Sequence, residues 1–144
     1  MFKSAQDVAV LGICVEDAVQ EIQHDGLTFC SVNSGRRAID MLRMLRFDLL
    51  LIGPAVPDIS IWEFVRRARI GWPWQKWALV GERISEQQEI TARMMGVTKI
   101  FETFPTSQEL MELTGQLRAR AAQSVLNRTY EAQPEVAKAR SAVS

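Results

Sequence analysis

Few residues in this chain are suited to making or breaking bonds. It holds one histidine, His24, and two cysteines, Cys14 and Cys30. No serine, histidine and acid, and no cysteine with histidine, can be placed as a nucleophile with its base. Two cysteines make neither a disulfide framework nor a metal set. His24 falls near the end of a short helical period, where a surface role is the default. Cys14 follows one apolar run and Cys30 lies in the next; a redox pair between them is conceivable, but reduced thiols are the rule in a cytosolic chain. With no metal cluster and no phosphate-binding loop, an enzyme is not expected.

Residues suited to binding are more plentiful. Gly71-Trp-Pro-Trp-Gln-Lys-Trp brings three tryptophans close together. Trp77 opens an apolar run and is assigned to the core. Trp72 and Trp74 flank Pro73 either as rigid aromatic anchors of a binding hot spot or as a local lid over the core. Arg36, Arg37, Arg43 and Arg46 accompany one helical period, and Arg66, Arg67 and Arg69 accompany the next. They suit a solvated face or a basic surface for an acidic partner. Nucleic acid is disfavoured, because no helix-turn-helix, zinc finger or stacking motif accompanies the charge.

The apolar pattern gives the elements that must position these residues. The 144 residues are 47% hydrophobic and 24% charged, as in one soluble domain with a real core. Seventeen basic groups balance seventeen acidic ones, which argues against binding through bulk charge. The balance is a sum of opposed regions. Residues 1–35 carry one basic and five acidic groups, 36–76 eight and four, 77–117 three and six, and 118–144 five and two. No stretch approaches the roughly 18–20 apolar residues of a membrane helix, and the N-terminus lacks a signal peptide's apolar run. The expected location is the cytosol, with no membrane contact.

Three continuous apolar runs, at residues 8–13, 48–53 and 77–81, predict strands buried on both faces of a parallel sheet. Residues 27–32 and 98–102 predict two strands nearer the edges. Helical stripes lie between them: Ala38, Ile39, Met41, Leu42 and Leu45 after an Asn33-Ser34 cap, and Trp62, Phe64, Val65 and Ala68 after Ser60. Ile90, Met94 and Met95 follow Ser85, and Leu110, Leu113 and Leu117 follow Thr106, which with Glu109 matches a capping box. A short first helix is predicted from Val15 to His24. Strand and helix alternate throughout, which predicts a doubly wound α/β domain. The last helix is expected to reach about Leu126, within a division into a domain over 1–122 and a flexible tail over 123–144.

These residues resemble the receiver domain of bacterial two-component response regulators. Residues 26–42 look like the family's second strand and second helix. Asp48-Leu-Leu-Leu-Ile-Gly-Pro-Ala-Val-Pro-Asp-Ile-Ser looks like its third strand and phosphorylation loop, and residues 81–105 keep its spacing from the fourth strand into the fifth. The resemblance covers about residues 8–117. It implies a flavodoxin-like (βα)5 fold with a five-stranded parallel sheet in the order 2-1-3-4-5.

The family's chemistry does not come with the framework. Its phosphorylated aspartate falls on Gly53, its Mg²⁺-holding acids on Gly12 and Ile13, its hydroxyl on Gly81 and its lysine on Thr103, while the aromatic switch position falls on Ile100. Without carboxylates there is neither a nucleophile nor oxygen ligands for the metal, so no Mg²⁺ or other cofactor is expected. Asp48 lies at the wrong end of its strand, Asp58 in the loop beyond it, and Glu16 and Asp17 in the first helix.

The resemblance therefore implies a degenerate, phosphorylation-independent receiver acting through protein–protein contact or homodimerisation. By resemblance the partner surface is the face of the family's fourth helix, fifth strand and fifth helix, here Arg93, Lys99, Glu102, Glu109 and Glu112. In such a fold the two arginine-bearing helices lie side by side, which makes a basic face available to an acidic partner. A second alternative is a small-ligand sensor that uses the crevice left by the missing acids.

Overall fold

The three continuous apolar runs become the middle of one parallel sheet, because a strand with no polar face must be covered on both sides. The computed structural model describes residues 7–15 and 26–131. Its elements are β1 (Val8–Ile13), β2 (Leu27–Val32), α1 (Gly35–Met44), β3 (Leu49–Ile52), α2 (Ile61–Gly71), β4 (Trp77–Val80), α3 (Glu86–Met94), β5 (Lys99–Phe101) and α4 (Ser107–Glu131). The sheet order is β2-β1-β3-β4-β5, with every pair parallel. Every residue of β1, β3 and β4 is buried, whereas β2 and β5 at the edges are only partly covered. The predicted strands and their order are those observed. The predicted first helix, with Glu16, Asp17 and His24, lies outside the described residues.

Each helix start has a side chain that satisfies orphan backbone donors. Ser34 accepts from Arg37 N–H and Ser60 from Glu63 N–H, both at 3.1 Å. Ser85 and Gln88 form a reciprocal capping box, as do Thr106 and Glu109. The apolar stripes of α1 and α2 turn inward: Ala38, Leu42, Phe64, Val65 and Ala68 are buried.

Two expectations about helix stripes fail. Leu45 is not the end of the α1 stripe but its C-cap, with extended backbone (φ −135°) and 51% exposure. In α3 only Ala92 is buried, while Ile90 and Met94 are 46% and 79% exposed. Residues four apart share a helix face, and residues two apart lie on nearly opposite faces. With Ala92 seated inward, Ile90 and Met94 must face outward.

Helix α4 continues to Glu131, beyond the expected Leu126. The chain divides into two compact units, residues 1–111 and 112–144. The sheet and α1 to α3 belong to the first unit.

Candidate functional site

In a parallel sheet all the C-terminal strand ends reach one edge, where ligands of open α/β domains bind. Here β1, β3 and β4 bring Gly12, Ile13, Gly53 and Gly81 to that edge, as expected. The spaces beside these glycines are full. A Cβ at Gly53 would collide with the backbone carbonyl oxygen of Cys14. Cys14 leaves β1 in the left-handed region (φ 57°), uncommon for a residue with a side chain. Its N–H donates to the Val32 carbonyl at 2.9 Å, and Gly53 N–H donates to the Ile13 carbonyl at 2.9 Å. The turn after β1 is thereby laid against the end of β3.

Side chains close the rest. A Cβ at Gly12 would lie 2.5 Å from Val15 Cγ2 and 2.6 Å from Phe29 Cζ. Phe29 in turn meets Phe104 with ring centroids 6.1 Å apart. At Gly81 a Cβ would meet Ile84 Cγ1 at 3.0 Å and Pro54 Cβ at 3.5 Å. The open crevice that the small-ligand alternative needs is not present at these three positions: apolar groups and backbone occupy the room. Ile100 is half-buried against the core, and Thr103 is exposed just past β5.

Mg²⁺ does not fit this edge. Gly12 and Ile13 present no oxygen ligands from side chains, and a carboxylate at 53 has no space. Among the described residues no three His, Cys, Asp or Glu side chains gather as a metal site. The acids on either side of β3 are engaged in structural roles. Asp48 accepts from Ala9 N–H at 2.8 Å, which ties the start of β3 to β1. Asp58 accepts from Gly35 N–H (2.8 Å) and Arg36 N–H (3.0 Å) at the start of α1. These two backbone donors hold its carboxyl below the usual carboxylate range. Cys14 and Cys30 are not joined in a disulfide, and both are half-buried.

A concave surface lies instead between α1 and α2. A groove of about 590 Å³ has Arg36 and Arg43 on one wall and Arg66 and Arg67 on the other. Ile39, Ile59, Ile70 and Trp72 give it apolar lining, and Asp40 and Asp58 are its acids. Glu63, which does not line it, bonds Arg66 at 2.7 and 2.9 Å and Arg67 at 3.1 Å. These guanidinium bonds bring the Glu63 carboxyl down to about 2. Asp40 reaches Arg43 only at 3.7 Å.

The basic face is therefore divided. Four of the seven arginines meet in the groove, whereas Arg37 and Arg69 are exposed and do not line it. Arg46 lies 5.5 Å from the centre of the Trp74 ring. The two loop tryptophans also separate: Trp72 packs on the core and walls the groove, and Trp74 is 54% exposed. Trp77 is core, as expected, at 3% exposure.

The residues of the expected partner surface lie on α3 (Arg93), in and just after β5 (Lys99, Glu102) and on α4 (Glu109, Glu112). Arg93 is exposed and pairs with Glu89 at 3.0 Å, Lys99 stands 5.3 Å from the centre of the Phe101 ring, and Glu102 is exposed. Glu109 folds back to accept from Thr106 N–H at 3.2 Å, so its carboxylate caps a helix. Glu112 falls in the second unit. Ile90 and Met94, read from sequence as an inward stripe, stand outward on α3 beside Arg93. Their i, i+4 spacing marked a stripe without telling which way it faced.

A five-stranded parallel sheet in this order, with helices following its strands, is the fold of response-regulator receiver domains. Solved structures bear this out. A CheY-like response regulator receiver domain protein from Methanospirillum hungatei superposes with a TM-score of 0.68 at 15% identity, covering 81% of this chain and 98% of that one. A two-component response regulator from Clostridium difficile gives 0.69 at 14%, covering 80% and 98%. The signal receiver domain of an HD domain-containing protein from Pseudomonas fluorescens gives 0.69 at 12%, covering 86% and 96%. No protein-family model and no curated protein matches the sequence.

Proposed function

We propose that this chain is a receiver-like signalling domain that works without phosphorylation, through contact with proteins, copies of itself included. Gly53 carries the reading: the strand end where a receiver holds its nucleophile has no carboxylate, and the Cys14 carbonyl takes the space of any side chain there. Such a domain is no enzyme and needs no Mg²⁺. What remains is surface recognition. The outward Ile90 and Met94, with Arg93 and Glu89 on the same helix, join apolar area to mixed charge, a combination that gives specificity.

Incubation with acetyl phosphate and Mg²⁺ is expected to leave the intact mass unchanged, and beryllofluoride with Mg²⁺ to leave the melting temperature unchanged. A covalent phosphoryl group on any aspartate overturns the reading.

A further inference from the structure

We propose that the groove between α1 and α2 receives helix α3 of a second copy of this chain. The proposal rests on α3 being an interaction surface, and it specifies what that surface meets. The groove's four arginines outnumber its two acids. One of those acids, Asp58, is already committed to two backbone N–H groups. Glu63 reaches in from outside and holds two guanidiniums in fixed positions while leaving further N–H donors free on each. Between the charges the lining is apolar, with Ile70 70% exposed. Such a groove suits an amphipathic helix with an acidic margin.

Helix α3 has that form. Glu86, Ile90 and Met94 follow one another at four-residue spacing on one stripe, and Glu89 lies next to it. All four are exposed. Docking would bury Ile90 and Met94 against the groove's isoleucines and place Glu86 among its arginines, where Glu89 would exchange its pairing with Arg93 (3.0 Å) for one of them. The same complementarity holds over longer stretches, since residues 36–76 carry a surplus of four positive charges and 77–117 a surplus of three negative ones. Each molecule thus holds both halves of the contact. The α3 of the same copy does not line the groove, so in this proposal it docks from another copy.

A charge-swap experiment tests this. Wild type should self-associate at sub-millimolar concentration in sedimentation equilibrium, less so as salt rises. Arg36→Glu/Arg67→Glu in the groove and Glu86→Arg/Glu89→Arg on α3 should each weaken self-association roughly tenfold or more. Circular dichroism should show both folded. An equimolar mixture of the two should associate again, because each reversed surface finds its complement on the other variant. A monomeric wild type, or a mixture that stays monomeric, overturns the proposal. So does weakening by the α3 pair alone, which indicates α3-to-α3 pairing. Failure here leaves the phosphorylation test untouched, and a phosphoryl adduct overturns the functional reading without affecting the sedimentation result.

Discussion

At the scale of single residues, the contact between Gly53 and Cys14 decides what this edge of the sheet can do. That glycine stands at the end of β3 is plain from the sequence. That it must be glycine is not, because the obstacle is a carbonyl thirty-nine positions earlier, aimed by a left-handed turn that no local pattern announces. Gly53→Asp would therefore force the chain apart and would not supply a phosphate acceptor. Overpacked interiors lose about 1–3 kcal/mol, and urea unfolding should show a loss of at least that order, with no phosphoryl added to the variant by acetyl phosphate. The same reasoning explains why the crevice could not be judged from sequence. Val15, Phe29, Ile84 and Pro54 fill it from four different places in the chain.

At the scale of elements, local signals were legible and distant ones were not. Ser34, Ser60, Ser85 and Thr106 were all readable as cap residues because a cap acts over three residues of chain. Asp58 also caps α1, but across twenty-three positions, and only the tertiary fold brings it there. Both Asp58 and Glu63 have folded values below their ordinary ones of 3.8 and 4.5. Each therefore stabilises the fold at neutral pH, and the contribution is lost on acidification: for Glu63 between 4.5 and about 2, for Asp58 from 3.8 downward. Stability followed by urea midpoints should fall through this window, and less steeply in Glu63→Gln and Asp58→Asn. Amide exchange at Gly35 and Arg36 should speed up in Asp58→Asn. The error over α3 has the same origin as the missed Asp58 cap: periodicity defines a stripe, and only packing orients it.

For the molecule as a whole, a parallel sheet followed from continuous apolar runs separated by helical periods and its strand order only from the resemblance to receiver domains, whereas the groove needed two helices to be set side by side. The arginines were visible, but not which four would meet. If the outward face of α3 serves recognition and not folding, Ile90→Lys/Met94→Lys should change unfolding free energy by no more than about 0.5 kcal/mol per site while abolishing self-association in sedimentation. The tryptophans described above make this chain its own optical reporter. Trp77 is sealed in the core, Trp74 stands in solvent beside Arg46, and Trp72 forms part of the groove wall. Filling the groove changes the surroundings of Trp72 and leaves Trp77 in the dark of the interior. Unfolding exposes all of them, so emission wavelength separates an occupied molecule from an unfolded one without any added label.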